Sequence, residues 1–293
     1  MQILQSVIFA ATFMAALGGL LALFLAQASK RLYVFEDPRI DQVEEMLPHS
    51  NCGACGTAGC RNFAEQVVAG KLEPARCTVN APDQNQGIAA FLGIDLGEVE
   101  KRIARLACAG GNNVAKSSAK YIGLSTCRSA SVISGGGRSC SWGCLGLGDC
   151  AKVCDFDAIV MNRFGLPEVD PAKCTACGDC VDICPKQLFS LEPMSRQLWV
   201  ACKNQADPNA SENACEVSCT ACGRCVMDAA PGLIKLERNL AVIDYSKNAS
   251  ADRAAIERCP TGAIVWLDGA RADKGRAARK IIRIQPLPVM AEA

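Results

Sequence analysis

Twenty cysteines in a chain of 293 residues constrain the fold more than any other feature. Cysteine at this density is typical either of a disulfide scaffold or of a protein organised around metal, and these require opposite redox compartments. The spacing of the cysteines therefore has to decide between the two. The single histidine, His49, excludes a Rieske centre and bis-histidine haem, which need two histidines. Any metal must be bound mainly by sulfur.

The most specific motif lies in the middle of the chain, at 140–200, where eight cysteines form two groups of four. The first group is spaced C-x3-C-x5-C-x3-C from Cys140, and the second is spaced C-x2-C-x2-C-x3-C-P from Cys174. This doubled layout is typical of a bacterial ferredoxin, in which the fourth cysteine of each group binds the other group's cluster. The predicted [4Fe–4S] ligand sets are Cys140, Cys144, Cys150 and Cys184 for one cluster, and Cys174, Cys177, Cys180 and Cys154 for its neighbour.

A second motif, C-x2-C-x4-C, occupies a glycine-rich loop that runs into a helical pattern ending near Gly70. Glycines allow backbone N–H groups to turn toward cluster sulfurs. The charged segment before the loop, Phe35 to Leu47, is expected to form a short helical stalk. Within a domain at 31–107, one cluster is predicted on four cysteines, with zinc as the alternative metal: Cys52, Cys55, Cys60 and Cys77.

An internal repeat predicts a second ferredoxin-like module at 201–267, because Cys177-Gly-Asp-Cys180 lines up with Cys222-Gly-Arg-Cys225. One cluster is predicted on Cys219, Cys222, Cys225 and Cys259. The same spacing places non-ligating residues where a second set of cysteines belongs, at Ala229, Ala249, Asp252 and Ala255. These four positions form the complete ligand set of one cluster, so the module is expected to have lost that cluster and kept the other.

Four cysteines remain after these sixteen are assigned, two of them in a predicted linker at 108–139. A further cluster needs four ligands, but the long separations leave buried free thiols as an equal alternative. These possible ligands of a fifth cluster are Cys108, Cys127, Cys202 and Cys215.

The N-terminus is predicted to be a transmembrane anchor at 1–30. No charged residue occurs from Ile3 to Ala26, a helical length of roughly 36 Å that can cross a bilayer. A cleaved signal peptide is the alternative, although its usual positive N-terminal region is missing. Lys30 and Arg31 follow the apolar run, which places that flank and the soluble part in the bacterial cytoplasm. Cysteines stay reduced there, which favours ligands over disulfides.

Two further segments carry weaker signals. Asp95 to Glu98 resembles a helix start, with Val99, Ile103 and Leu106 then on one helix face. The segment 268–293 is expected to be a solvated basic tail, with contact to anionic lipid or an acidic partner as the alternative. Its basic residues are Arg271, Lys274, Arg276, Arg279, Lys280 and Arg283.

Several functional classes are not indicated. The 31 Lys and Arg residues nearly balance 30 Asp and Glu residues, so no net charge favours nucleic acid. The glycines between Gly143 and Gly148 lie among predicted cluster ligands and do not form a nicotinamide or flavin fingerprint, and no P-loop occurs.

With the anchor, the Asn51–Cys60 loop followed by Cys77, and the ferredoxin module in this order, the chain resembles the iron–sulfur B subunit of the Rnf complex. That complex is the ion-translocating ferredoxin:NAD oxidoreductase. The resemblance runs from Met1 to about Leu267 and is to the long form with a second ferredoxin-like module. We therefore expect an α+β chain with one N-terminal transmembrane helix, a small iron–sulfur domain and two ferredoxin-like modules.

The resemblance implies a single-pass subunit of the bacterial inner (cytoplasmic) membrane that relays electrons between soluble ferredoxin and the membrane subunits. Its expected cofactors are four [4Fe–4S] clusters, with a fifth as a hypothesis, and its expected partners are other subunits, soluble ferredoxin and the lipid bilayer. Flavin and NAD chemistry would belong to other subunits. The alternatives are an iron–sulfur subunit of another membrane oxidoreductase, an iron–sulfur redox sensor, and a zinc scaffold.

Overall fold

The computed structural model describes residues 2–32, 36–96 and 100–290, and it mixes helices with short antiparallel strands as an α+β fold does. The helices are α1 (Gln2–Leu32), α2 (Arg39–Glu45), α3 (Cys60–Val68), α4 (Pro82–Leu92), α5 (Cys127–Val132), α6 (Asp149–Lys152), α7 (Asp179–Ile183), α8 (Pro208–Ala214), α9 (Arg224–Asp228) and α10 (Ala254–Glu257). Short 3-10 helices lie at Pro74–Arg76, Ser134–Gly137 and Tyr245–Ser250. The strands are β1 (Arg102–Leu106), β2 (Ile159–Met161), β3 (Pro167–Val169), β4 (Phe189–Pro193), β5 (Leu198–Val200), β6 (Ile234–Glu237), β7 (Leu240–Ile243), β8 (Ile264–Asp268) and β9 (Arg271–Lys274).

Helix α1 is the long apolar helix that the sequence predicts. It contains 31 residues, and its stretch Val7–Leu32 has a mean hydropathy of 2.3. A helix of this length extends about 46 Å, which exceeds the hydrocarbon thickness of a bilayer. Large apolar side chains such as Phe9 and Leu20 are more than two-thirds exposed, so α1 presents an apolar surface on which no other described part of the chain packs.

Residues 36–96 form a small helical unit with its own core. Val43 of α2 and Phe63 of α3 are almost fully buried, together with Ile88 of α4. Arg61 holds α3 against the preceding segment through ion pairs to Asp41 at 2.5 Å and Glu44 at 2.8 Å. The helical pattern predicted after the loop is therefore present, whereas α2 is a packed element and not the expected stalk. Phe35, where that stalk was to begin, lies outside the described residues.

The first ferredoxin-like unit combines two strand pairs with the short helices α6 and α7. Strand β1 pairs antiparallel with β4, and β2 with β3. The helix predicted from Asp95 is therefore wrong for residues 102–106, because pairing with a strand more than eighty residues away outweighs local propensity. The part of that prediction on residues 97–99 lies outside the described chain. Because strand β1 belongs to this unit, the unit begins before residue 107, where the sequence analysis placed the end of the N-terminal domain.

The second ferredoxin-like unit repeats this arrangement. Strand β8 lies between β5 and β9, β6 pairs with β7, and helices α9 and α10 correspond to α6 and α7. Its core contains Leu198, Leu233 and Ile264, each at most 2% exposed. The two units are joined directly, because Ala109 N–H donates to the Ala201 carbonyl at 3.0 Å. The internal repeat in the sequence thus corresponds to a repeat in the fold.

The segment expected to be a linker, 108–139, is folded onto the body of the protein. Lys116 N–H donates to the Ala214 carbonyl at 3.0 Å, and Asn112 N–H donates to the Phe164 carbonyl at 2.9 Å. Gly137 has φ +73°, and a Cβ there would lie 2.1 Å from the Ala119 carbonyl oxygen, so only glycine fits. The segment 108–139 is thus a packed insert and not the expected linker.

The expected solvated tail is also folded. After β9, residues 275–290, which we call the C-terminal strap, return to the insert, where Met290 N–H donates to the Ser117 carbonyl at 2.9 Å. Ile281 packs against the core around Val114. The strap's arginines pair with carboxylates of the body: Arg276 with Glu257 at 2.8 Å, Arg279 with Glu212 at 2.9 Å and Arg283 with Glu216 at 3.2 Å. The expectation of a free basic tail is wrong for the described residues, because these arginines form ion pairs with carboxylates elsewhere in the chain.

Candidate iron–sulfur sites

All twenty cysteines are free thiols, and together they line five recesses. We name the recesses by position, and each name stands for four cysteines: the N-terminal recess (Cys52, Cys55, Cys60, Cys77), the outer ferredoxin recess (Cys154, Cys174, Cys177, Cys180), the inner ferredoxin recess (Cys127, Cys144, Cys150, Cys184), the bridging recess (Cys108, Cys140, Cys202, Cys215) and the C-terminal recess (Cys219, Cys222, Cys225, Cys259).

The N-terminal recess brings together the four cysteines that the sequence groups. Its loop is held by the Asn51 side chain, whose Oδ1 accepts a hydrogen bond from Cys60 N–H at 2.8 Å. A Cβ on Gly59 would lie 2.8 Å from the same oxygen, so glycine is required for this approach. Asn85 donates to the Cys77 carbonyl at 2.9 Å and fixes the fourth cysteine. His49, three residues before the first cysteine, is exposed and does not line the recess.

The outer ferredoxin recess shows the exchange between halves that the spacing predicts. Cys154 from the first group of cysteines lines it with three cysteines of the second group. The backbone N–H of Ala104 in β1 donates to Cys174 Sγ at 3.4 Å, a contact that stabilises negative charge on sulfur. Burial raises the pKa of Cys180 to about 12 and that of Cys177 to about 11.

The inner ferredoxin recess differs from the predicted set, because Cys127 lines it where Cys140 was expected. The buried carboxylate of Asp149 explains how Cys127 comes there from 22 residues away. Asp149 Oδ2 accepts hydrogen bonds from Cys127 N–H at 2.7 Å and Arg128 N–H at 3.3 Å, at the beginning of α5. The carboxylate therefore anchors α5 beside the recess. Asp149 lies in no motif that would mark it in the sequence.

The bridging recess contains Cys140 together with three of the four cysteines that the sequence left unassigned. Two of these follow corresponding strands, Cys108 after β1 and Cys202 after β5, so the junction of the two units brings them together. A Cβ on Gly110 would lie 3.2 Å from Cys215 Sγ and 3.6 Å from Cys108 Sγ, so both sulfurs lie beside this glycine.

Backbone donors and burial are both present in the bridging recess. Gly110 N–H donates to Cys108 Sγ at 3.4 Å, and Asn204 N–H to Cys202 Sγ at 3.5 Å. Burial raises the pKa of Cys202 and of Cys215 to about 12. A buried thiolate at these positions requires compensating positive charge, which bound iron would supply.

The C-terminal recess contains the four cysteines that the repeat predicts. The four positions of the absent cluster differ in their surroundings. Ala255 is 1% exposed and packs in an apolar core that Ala229 borders, while Ala249 and Asp252 are exposed. Tyr245 also packs against this core, and its hydroxyl donates to the Leu198 carbonyl at 3.1 Å. Side-chain packing thus occupies part of the space where the repeat would place a cluster.

The donor chemistry of the recesses fits iron–sulfur clusters ligated by four thiolates. Within the described ranges, no three Cys, His, Asp or Glu side chains converge closely enough to hold a single metal ion. Ligands of a cubane lie further apart than those of one ion, because four iron and four sulfide atoms lie between them. Each recess supplies four sulfurs around such an opening.

Four of the recesses form a continuous row. Cys150 and Cys180 share one apolar core, which connects the inner and outer ferredoxin recesses. Cys144 also lines the bridging recess, so that recess adjoins the inner one. Cys219 N–H donates to Cys202 Sγ at 3.3 Å, which connects the bridging recess to the C-terminal recess. The order is therefore outer, inner, bridging and C-terminal.

Comparison with known proteins agrees with this chemistry. A family model described as "Putative Fe-S cluster" matches residues 47–79, and one described as "4Fe-4S binding domain" matches residues 166–189. The B subunit of the Na(+)-translocating ferredoxin:NAD(+) oxidoreductase complex of Acetobacterium woodii is 37% identical over 240 residues, which cover 82% of this chain and 72% of the relative. The B subunit of the proton-translocating ferredoxin:NAD(+) oxidoreductase complex of Clostridium ljungdahlii is 37% identical over 263 residues, covering 89% of this chain and 93% of that one. The B subunit of the ion-translocating oxidoreductase complex of Methanosarcina acetivorans is 34% identical over 251 residues, covering 86% and 95% respectively.

Proposed function

The chain belongs to the family of iron–sulfur B subunits of ion-translocating ferredoxin:NAD oxidoreductase complexes, the Rnf complexes, and from this we propose that it relays electrons from soluble ferredoxin to the membrane subunits. It is an iron–sulfur subunit of an oxidoreductase complex, and in this proposal none of its side chains acts as a catalytic residue. The observation that carries the proposal is that all twenty cysteines line five recesses, four of them in a row.

We propose five clusters, one for each recess. [4Fe–4S] clusters bound there would supply one-electron chemistry at ferredoxin-type potentials of roughly −400 mV. The chain's own residues bind these groups, bury eight of the twenty thiols and partly bury ten more, and donate backbone N–H groups to individual sulfurs, as Ala104 does to Cys174. The fold also fixes neighbouring recesses side by side. No side chain is required to transfer a proton or a chemical group.

We further propose that the N-terminal recess lies beside the membrane subunits. Seven residue steps separate Leu32 at the end of α1 from Arg39 at the start of α2. A fully extended chain of that length spans at most about 25 Å, so the unit that holds this recess stays near the end of the span. Lys30 and Arg31 in the last turn of α1 favour a cytoplasmic location for this unit in the bacterial inner membrane.

The test uses the complete complex, purified without oxygen. We expect reduced ferredoxin to bleach the cluster absorbance and to support NAD+ reduction. Replacing both Cys108 and Cys215 by alanine removes two ligands of the bridging recess, so we expect NAD+ reduction to fall at least about ten-fold if the row is the route. A redox sensor would keep wild-type turnover after this change. The proposal is wrong if excess dithionite bleaches the wild-type clusters while reduced ferredoxin leaves them oxidised.

A further inference from the structure

The row of recesses has one end where a cysteine is open to solvent. Cys222 of the C-terminal recess is exposed, and the one other exposed cysteine is Cys52 in the N-terminal recess. Beside Cys222 lies Leu236, which is 42% exposed and would contact a Cβ placed on Gly223. Met227 on α9 is 68% exposed. Leu236 thus lines the opening of the C-terminal recess with an apolar side chain that faces solvent, and Met227 adds exposed apolar surface on the helix that carries Cys225.

Unpaired positive charge flanks this opening. Arg224 directly follows Gly223, and Arg238 lies in the turn two residues beyond Leu236; both are exposed. Neither arginine forms an ion pair with any residue that the structure describes. The nearby carboxylates are neutralised, Asp228 by Arg258 at 2.5 Å and Glu237 by Lys235 at 3.4 Å. We call the surface formed by Cys222, Arg224, Met227, Leu236 and Arg238 the Cys222 face.

The other end of the row carries the same loop with the opposite charge. Thr175-Ala176-Cys177-Gly178 in the outer ferredoxin recess repeats as Thr220-Ala221-Cys222-Gly223. The next residue is Asp179 in the first copy and Arg224 in the second. Around the outer recess, Asp155, Asp157 and Asp182 are exposed and Asp179 is partly exposed, against one exposed cation beside the cysteine loop, Lys173. The two ends of the row therefore differ in sign although their cysteine loops match.

We propose that the Cys222 face is the docking surface for an acidic, ferredoxin-type electron carrier, an inference that rests on the proposed function. Transient electron-transfer contacts are small, and opposite charges around them raise the association rate. Met227 and Leu236 would form the apolar centre of the contact, and Arg224 and Arg238 its charged edge. The acidic surroundings of the outer recess would repel the same carrier.

Electron entry at the Cys222 face is a one-electron exchange without proton transfer. The carrier would lose one electron in each encounter, and the four cysteines of the C-terminal recess would hold the iron–sulfur group that accepts it. The exposed edge at Cys222 allows this exchange without any opening of the fold. The remaining three recesses of the row then lie behind the entry site, away from the docked carrier.

The experiment measures NAD+ reduction by the purified complex at varied concentrations of a reduced bacterial two-cluster ferredoxin. Arg224→Asp installs the residue that the first copy of the loop carries. At low ionic strength, about 50 mM, we expect the KM for ferredoxin to rise about ten-fold while kcat changes less than about two-fold. At about 0.5 M salt the two KM values should agree within about two-fold, because the charges are screened. Arg224→Lys should retain the wild-type KM at low salt.

Arg163→Asp is the matched control, since Arg163 is an exposed arginine in the β2–β3 turn and makes no ion pair within the described chain. It changes the net charge equally and should leave the KM within about two-fold of wild type, since exposed charges act over about a Debye length. Excess dithionite must bleach each variant to the same extent as wild type, which shows that its clusters are intact. If Arg224→Asp fails this check, Arg238→Asp is tested in its place.

An unchanged KM with a wild-type salt dependence in the Arg224 variant would refute the Cys222 face while leaving the relay function intact. An equal rise in KM for Arg163→Asp would also refute it, because the effect would then reflect net charge alone. Wild-type complex that dithionite reduces and ferredoxin does not would instead overturn the relay function, and the docking proposal with it.

Discussion

The structure places Cys127 in the inner ferredoxin recess, whereas the sequence spacing places Cys140 there. Mutations can distinguish these two groupings of the cysteines. The perturbation is the double variant Cys127→Ala/Cys150→Ala, compared with Cys144→Ala/Cys150→Ala. In the structure, both variants remove two thiols from the same recess. In the grouping based on spacing, the first variant removes one thiol from each of two sites, and the second removes two thiols from one site.

The expected magnitude follows from the number of ligands that each recess retains. Two thiols cannot hold a cubane, so each double variant should lose one cluster and keep about 16 of about 20 iron atoms per chain. Loss of two clusters would leave about 12 iron atoms. The two variants should also share one EPR spectrum after dithionite reduction, since the same cluster is missing from both.

The assay is iron and sulfide quantification on anaerobically purified protein, followed by EPR of the reduced state. The reciprocal pair, Cys140→Ala/Cys215→Ala and Cys108→Ala/Cys215→Ala, should likewise give two matching spectra with a different cluster missing. Spectra that differ within either pair, with two altered signals in the variant that contains Cys127 or Cys140, would refute the structural grouping.

Three further predictions concern residues that are not proposed ligands. Asp149→Ala removes the acceptor at the start of α5 and should cost about 1–2 kcal/mol locally; the EPR signal of the inner cluster should decay fastest on warming, and equal decay of all signals would contradict this role. Gly275→Ala would place a Cβ 1.9 Å from the Ile256 carbonyl oxygen; displacement of the C-terminal strap should increase its proteolysis, and wild-type resistance would argue against the packing. In Gly87→Ala, the added Cβ in α4 has no atom within 4 Å. The variant should stabilise the N-terminal unit by about 0.5–1 kcal/mol and raise the temperature at which its cluster is lost, whereas a lower temperature would contradict the open environment.

Local spacing predicted three of the five cysteine groupings that the structure contains. In the N-terminal, outer ferredoxin and C-terminal recesses, three cysteines lie within a short loop, so a few residues of backbone bring them together. Fourth members such as Cys154 and Cys259 follow from the pseudo-symmetry of a ferredoxin repeat. The ligand roles of these cysteines stay predictions until the bound metal is measured.

The remaining two groupings depend on contacts that sequence spacing does not encode. Cys127 and Cys140 are both near enough along the chain to reach the inner ferredoxin recess, and the choice between them depends on the buried Asp149 contact. The bridging recess requires the two ferredoxin-like units to meet at the ends of strands β1 and β5. There Ala109 N–H donates to the Ala201 carbonyl, and the Trp199 indole N–H donates to the Leu106 carbonyl, each at 3.0 Å.

The wrong predictions of a helix over residues 102–106 and of a solvated C-terminal tail have the same origin. Residues 102–106 have an apolar pattern compatible with a helix, yet β4 provides a partner strand from the other end of the module. The basic C-terminal segment looked solvated because its acidic partners, Glu212, Glu216 and Glu257, are distant in sequence. In both cases a long-range contact outweighed the local signal.

We infer that this chain gathers its twenty cysteines in fours to hold iron–sulfur clusters for electron relay. Quantification of iron and acid-labile sulfide in the anaerobically purified wild-type protein tests it most directly. We expect about 20 iron and about 20 sulfide atoms per chain, with all cysteines inaccessible to thiol reagents until the clusters are removed. About 16 iron atoms with four reactive thiols, or zinc without sulfide, would contradict it.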